Sequence, residues 1–398
     1  MKRWLVIILC VILVGAFLGN HKVWAQLPDT VKIAIVFPYT GPVALNGQQA
    51  KEGAELAASL INKAGGIKGK TKIELVFGDD RCNPTSAVNV THRLISQGID
   101  FYVGNFCSSD ALATMPILAA EGIPQIIIGF APSITEEART PNSVRIAPNS
   151  RFEAFPLAKY AIQVNKDKKI AFLGWNSDYG RTVGEEFGKI AEKLGAKVID
   201  FQYFPFGADF STYLTKVKNL NVDGLAIVAM GNDMISINKI YHELGLKINM
   251  YGNANYTDSQ FLADPIDKPE NLFFTWLLDI GYPRAKEVKT PGPAVIEFQR
   301  EFKAMFGRDP ERATTWGYSS VRVFEQAVAA LGTIDKKKVA EYLHSGVKFK
   351  TAFGEIGFEW CGQSNNNMGV AKFQKNKIFL VKDKDWANDV LPPLCPPK

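Results

Sequence analysis

The chain has 398 residues, 46% of them hydrophobic and 22% charged, with a formal net charge of +6. That balance, with no long Lys/Arg block, argues against nucleic acid as a partner. The hydrophobic content is that of an ordinary globular protein.

Met1-Lys-Arg3 is a basic start, and Trp4 to Leu18 is an apolar run of signal-peptide length. Val23-Trp-Ala25 then places small or modest residues where a signal peptidase cuts, so residues 1–25 read as a signal peptide. The run is shorter than the roughly 18 residues or more that argue for a spanning helix. Cys10 raises a lipid anchor, but bulky Leu9 before it and the very short basic region argue against one. The reading is an exported, periplasmic chain beginning near Gln26. Cleavage removes three basic residues and no acid, leaving 43 Lys and Arg against 40 Asp and Glu, or +3. The remaining chain of about 370 residues exceeds one usual core and points to about two domains.

Four cysteines remain after cleavage: Cys82, Cys107, Cys361 and Cys395. An even number in an exported chain favours disulfides, and neither their spacing nor that of the four histidines suits a metal. No metal or other cofactor is expected. Cys82 and Cys107 each follow an apolar strand, with a helical stretch between. In a right-handed βαβ unit those strand ends can be neighbours, so a Cys82–Cys107 bridge would close the unit and leave Cys361–Cys395 to staple the tail.

In chain order, Val31–Val36 is a β-branched run suited to a buried parallel strand. Ala50, Ala54, Ala57, Ala58 and Ile61 make one face of a helix over 47–63. Ala64 to Thr71 resembles a phosphate loop, but its first Gly is one residue too close and it lies between helix and strand in the wrong order. Strands are predicted at 73–77, 101–103 and 125–128, with helices at 85–97 and 111–121. After an extended segment at 144–148 the alternation restarts. Helices are predicted at 150–164, 182–194, 211–219 and 235–244, and strands at 169–173, 197–201, 224–229 and 249–252. Two βα series of about five strands each predict an α/β protein of two doubly wound parallel-sheet lobes. Residues 271–277 break the rhythm. Helices follow at 291–306, 314–331 and 339–343, then strands at 354–359 and 370–373 and a tail with Pro392, Pro393, Pro396 and Pro397 that forms no regular element.

Ligands of open α/β sheets sit beyond the carboxyl ends of the strands. Those exits carry Tyr39-Thr40, Cys107-Ser108-Ser109, Phe130-Ala131, Trp175 to Tyr179, Gly231-Asn232 and Asn253 to Tyr256. The Ser pair at a helix start offers capping hydroxyls and an anion site. There is no GxSxG, HExxH or strand-following GxGxxG, and no paired carboxylates beside a His. Asp79-Asp80 reads as loop solubilisation in preference to a metal site. A binding protein, not an enzyme, is expected.

The chain resembles the type I periplasmic solute-binding proteins of the branched-chain amino acid (Leu/Ile/Val-binding) ABC-transporter family. The resemblance rests on Tyr39-Thr-Gly-Pro42, Asn62-Lys-Ala-Gly-Gly-Ile67, Cys107-Ser-Ser109, Ile123-Pro124, Arg145 with Pro148, Asp178-Tyr-Gly180 and Phe353-Gly-Glu-Ile-Gly-Phe-Glu359, in family order from about residue 30 to 380. It supports the Cys82–Cys107 bridge. It implies lobes joined by a three-crossover hinge, with crossovers near 148, 276 and 353, so that 27–147 with 277–353 form one lobe and 148–276 with 354–398 the other with the tail. It also implies closure over a small solute by hinge motion, a membrane permease as partner, and a monomer.

Carried over to this chain, the family's ligand set is Tyr39, Thr40, Cys107, Ser108, Ser109, Phe130, Ala131, Tyr179, Asn232, Asn253 and Asn255, with Ser109 and nearby backbone on a carboxylate. Two departures stand out. Phe130-Ala131 replaces a usual Ala-Thr, and Asn253-Ala-Asn255 stands where the family places an acid. A buried ammonium without a carboxylate is costly. The expected ligand is therefore an aromatic acid or amide instead of a standard branched-chain amino acid, unless Asp178, Asp233 or Asp258 supplies the acid. A true branched-chain amino acid binder and a periplasmic sensor module of the same fold are the alternatives; neighbouring permease or kinase genes separate transport from sensing.

Overall fold

The structure is a computed structural model that describes residues 27–277, 292–365, 368–381 and 395. The predicted signal peptide and the proline-rich tail other than Cys395 lie outside the described residues. The first lobe is built on a parallel five-stranded sheet of β1 (Thr30–Phe37), β2 (Lys72–Asp79), β3 (Phe101–Val103), β4 (Gln125–Ile127) and β5 (Ser143–Arg145), in the order β2-β1-β3-β4-β5. Helices α1 (Ala44–Lys63), α2 (Pro84–Ser96) and α3 (Ser108–Ala120) connect it. β1 is apolar almost throughout because both faces are covered: Val31 and Ile33 to Phe37 are all buried.

The second lobe repeats the plan. Its seven-stranded sheet runs β14-β13-β10-β9-β8-β6-β7, with β6 (Lys169–Trp175), β7 (Lys197–Phe204), β8 (Gly224–Val228), β9 (Asn249–Gly252) and β10 (Leu272–Leu277) parallel. β13 (Met368–Gln374) and β14 (Lys377–Leu380) add antiparallel. Its helices are α4 (Arg151–Lys159), α5 (Asp178–Lys193), α6 (Phe210–Asn219), α7 (Asn232–Glu243) and the short α8 (Ser259–Ala263). The predicted helix over 150–164 changes to a π turn at Tyr160–Val164. Residues 271–277, which break the predicted rhythm, are a fifth parallel strand.

After residue 291 the chain returns to the first lobe as α9 (Pro293–Phe306), α10 (Arg312–Leu331) and α11 (Lys336–Leu343), followed by the hairpin β11 (Lys348–Thr351) and β12 (Gly354–Gly357). The alanine face of α1 exists for this return. Helices α1 and α10 cross so closely that a Cβ on Gly53 would lie 2.0 Å from the Thr314 carbonyl oxygen, and one on Gly317 1.8 Å from that of Ala50. Small residues let the two backbones meet, and the contact fixes where α10 begins. It begins at the cleft, with Arg312.

Between the lobes, residues 145–147 run beside 362–364. Arg145, 0% exposed, donates through Nε to Gln363 Oε1 at 2.7 Å, and its backbone N–H donates to the Gly362 carbonyl at 2.7 Å. Gln363 Nε2 donates to the Ala147 carbonyl at 3.0 Å, and Ser364 Oγ to that of Ile146 at 2.9 Å. The third passage therefore runs through 358–364 and not at 353, because β12 stays paired with β11 against the first lobe. The second passage, expected near 276, adjoins residues 278–291, which lie outside the described residues.

Candidate functional site

In a doubly wound sheet the binding crevice opens where the strand order reverses, here beyond β1 and β3 in one lobe and β6 and β8 in the other. The two crevices face each other. Between them lies a pocket lined by Phe106, Cys107, Ser108, Phe130 and Arg312 from the first lobe and Glu153, Trp175, Tyr179, Met230 and Asn255 from the second. The lobes touch across it: Asn46 Nδ2 donates to Asp258 Oδ2 at 3.3 Å, and Phe130 and Tyr179 lie 5.6 Å apart between ring centroids.

The first-lobe wall is rich in donors. Helix α3 begins at Ser108 with Cys107 as its N-cap, so neither serine caps it with its side chain. The first-turn N–H groups of such a helix have no intrahelical acceptor and favour an anion. Ser108 Oγ accepts from the Ala131 N–H at 3.0 Å, which leaves its own proton to give. Arg312, only 4% exposed, reaches across to the second lobe, donating to Asn255 Oδ1 and, at 3.2 Å, to Asp258 Oδ1. Its guanidinium also lies 4.8 Å from the centre of the Trp316 ring. Behind the β4 exit, buried Arg145 donates to the carbonyls of Gly129, at 3.3 Å, and Ala131.

The second-lobe wall is rich in acceptors. Glu153, 1% exposed, accepts from the Tyr179 hydroxyl, the Ala254 N–H at 3.2 Å and the Thr275 hydroxyl at 3.2 Å. Burial pushes its carboxyl above the usual range, against the pull of those donors and of the Arg312 charge. Tyr179 is also raised, by burial and then by the Glu153 charge. Asn253 Nδ2 donates to the Tyr179 oxygen at 3.2 Å.

Of the predicted site residues, Cys107, Ser108, Phe130, Tyr179 and Asn255 line the cavity, and Ala131 and Asn253 stand directly behind Ser108 and Tyr179. Tyr39, Thr40, Ser109 and Asn232 do not line it. The Tyr39 hydroxyl donates back to the Ile35 carbonyl at 2.8 Å, and the Thr40 hydroxyl to Asp79 Oδ2 at 2.6 Å. Ser109 Oγ donates to Asp110 Oδ1 at 3.1 Å, and exposed Asn232 accepts from Gln260. The cavity hydroxyl is thus Ser108, because the helix starts one residue earlier than a serine cap would require. Sequence reasoning missed Glu153 and Arg312. Glu153, between apolar Phe152 and Ala154 at a helix start, carried a signal; Arg312, between Glu311 and Ala313, carried none beyond its place at a helix start. Asp178 and Asp233 do not line the cavity, and Asp258 reaches it only through Arg312.

Asp79-Asp80 proves structural, since Asp79 holds the Tyr39-Thr40 loop and Asp80 is wholly buried, accepting from Asn105 Nδ2 at 2.9 Å and the Cys82 N–H at 3.1 Å. Cys82 and Cys107 are bonded, as are Cys361 and Cys395, with Cα atoms 5.5 and 5.8 Å apart. The strands before Cys82 and Cys107 are not neighbours. They flank β1, and the bridge spans its exit. Among the described residues no group of three or more His, Cys, Asp or Glu could hold a metal ion, and no helix is long and apolar enough to cross a membrane.

Two facing lobes, a pocket between their switch points and passages of chain that run side by side between them define a cleft-type solute-binding fold. The chain belongs to the periplasmic binding protein family, whose model matches residues 30–377. It is 30% identical to the leucine-, isoleucine-, valine-, threonine- and alanine-binding protein of Pseudomonas aeruginosa, across 86% of this chain and 89% of that one. Among solved structures it is similar to the leucine-binding protein LivK of Thermotoga maritima, with a TM-score of 0.78, 22% identity and coverage of 88% of this chain and 98% of that one. It is also similar to an ABC-transporter solute-binding protein of R. palustris in complex with benzoate, with a TM-score of 0.77, 21% identity and coverage of 89% and 98%. The fold is that of the extracytoplasmic solute-binding proteins of ABC transporters.

Proposed function

We propose that the protein captures a small carboxylate with a flat or aromatic body between its lobes in the periplasm and presents it to the permease of an ABC importer. One observation carries the reading. The cavity pairs an anion-seeking end, made by Ser108, the start of α3 and Arg312, with walls of Phe106, Phe130, Trp175 and Tyr179. Phe130 packs between Tyr179 and Trp316, with ring centroids 5.6 and 5.7 Å away, and takes up room on the wall against which a branched aliphatic side chain would have to fit. The R. palustris protein that holds benzoate shows that this fold accommodates such a body. A branched-chain amino acid is the second reading, favoured by the relative from Pseudomonas aeruginosa and by Glu153, an acid able to face an ammonium.

A ligand that binds the folded state alone raises the melting temperature by mass action. A thermal-shift screen should show benzoate-like acids raising it and leucine or valine leaving it unchanged. The reverse result would replace the first reading with the second.

A further inference from the structure

The two walls differ in what they leave unused. A carboxylate has two oxygens with about four acceptor positions. On Glu153, Oε1 takes the Ala254 N–H and the Thr275 hydroxyl, while Oε2 takes only the Tyr179 hydroxyl. One position on Oε2 is open on a residue that lines the cavity and is 1% exposed. Asn253 Oδ1, on the far side of Tyr179, is also buried without a hydrogen-bond partner among the described residues. The Tyr179 proton already goes to Glu153, and Asn255 Nδ2 to the Ala229 carbonyl at 2.9 Å. A buried acceptor left unmade carries a desolvation cost that a donor from elsewhere relieves.

We infer that Glu153 selects the ligand: the solute carries, besides its carboxylate, an O–H or N–H donor, and that group bonds to Oε2. The inference rests on the carboxylate reading above and deepens it. The solute has a carboxylate for Ser108 and the start of α3, an apolar or aromatic body, and a hydroxyl or ammonium for Glu153. Glu153 holds this position because it sits in the first turn of α4, immediately after the first hinge passage. Three donors from three different elements hold its carboxylate in place.

The test is calorimetric titration of the signal-peptide-free protein with matched acids: benzoate, 4-hydroxybenzoate, 4-(aminomethyl)benzoate, and leucine as an aliphatic amino acid. At least one donor-bearing acid should bind about tenfold or more tightly than benzoate. In Glu153→Gln the same three donors compete for a single oxygen and an NH₂ group faces the cavity. That variant should lose most of the preference, read as the ratio of each donor-bearing acid's affinity to that of benzoate measured in the same variant. Loss of the preference for the ammonium acids but not for the phenol would identify an ammonium as the natural donor, and the converse a hydroxyl.

Benzoate binding as tightly as its donor-bearing counterparts would overturn the inference and leave the carboxylate reading standing. A preference that survives in Glu153→Gln would overturn the role of Glu153. Binding of none of these acids, with or without a donor, would overturn the carboxylate reading itself. The comparison within the unsubstituted protein decides the matter even if the variant fails to fold.

Discussion

The two walls of the cavity are made from equivalent places in two similar lobes, yet they carry opposite chemistry. The first lobe offers donors and positive charge: the first turn of α3, the Ser108 hydroxyl, Arg312 and, behind them, Arg145. The second offers acceptors: Glu153, the Tyr179 oxygen and Asn253. A duplicated plan of parallel strands thus gives a site with a direction. On the carboxylate reading a solute with one anionic end would fit one way round only, and the fold does not decide that way. The side chains do.

Arg312 is where this polarity can be broken most completely, because it serves the donor wall and also binds the opposite lobe. In Arg312→Ala, Asp258 and Asn255 lose their partner across the cleft and the carboxylate loses its cation. Removing one member of a buried charge pair costs about 2–5 kcal/mol, so binding of any carboxylate, measured by calorimetry, should weaken by two or more orders of magnitude. Asp258→Asn, which keeps the cation in the cavity, should lose much less. Equal losses would mean that Arg312 only latches the lobes.

The next effect concerns stability and is confined to the first lobe. Cys107 is the N-cap of the helix that starts the donor wall, and its bridge to Cys82 closes a loop with a sequence separation of 25. Replacing both cysteines by Ser should cost about 2–4 kcal/mol of unfolding free energy in denaturant titrations. An unchanged unfolding midpoint would show that the network around Asp80 and Asn105 holds the turn without the bridge.

How legible this was from residues alone follows the same division. The strand exits were legible, because apolar runs ending at Gly, Pro, Ser and Asn mark a parallel sheet and its crevice, and those exits supply Ser108, Phe130 and Tyr179. The cross-lobe residues were not. Arg312 reaches the cavity only because Gly53 and Gly317 let α10 cross α1 closely, and Glu153 only because the hinge passage delivers α4 there. Neither is set by local periodicity. Which serine of the pair faces the pocket was not legible for a related reason. Cap identity depends on the backbone angles at Cys107, and the spacing of two hydroxyls does not reveal them. The acid missing from the β9 exit was looked for on neighbouring loops, and an acid stands in the cavity on a helix instead.

A narrower contrast lies within the serine pair. Ser108→Ala removes a hydroxyl that faces the cavity and should weaken carboxylate binding by about 1–3 kcal/mol, whereas Ser109→Ala, whose hydroxyl is turned to Asp110, should change it by less than about 0.5 kcal/mol. The reverse order, read by calorimetry on both variants, would move the anion site one residue along the helix.

The smallest effect is a pH dependence set behind the donor wall. Burial, and then the charge of Asp80, push the Asp110 carboxyl up to about 8, against the hydrogen bonds from Ser109 and the Asn83 N–H. Asp80 is pushed up to about 6, chiefly by burial. In the unfolded chain both ionise near 3.9. Between about pH 4 and pH 8 the folded protein therefore holds protons that the unfolded chain has lost, so these two groups make stability fall as pH rises, with the full loss present above about pH 8. Asp110→Asn should remove the fall between about pH 6 and 8 and about half of the slope between about pH 4 and 6, where Asp80 alone then contributes, in melting curves taken across the range. The same titration acts on the ligand. An uncharged Asp110 in the first turn of α3 does not oppose an arriving carboxylate at neutral pH. Once ionised, it sets a like charge close to the anion site, so affinity for the acid should fall a few-fold from pH 7 to pH 9 in the unsubstituted protein and hold steady in Asp110→Asn. A parallel fall in both proteins would place the titrating group elsewhere in the cleft.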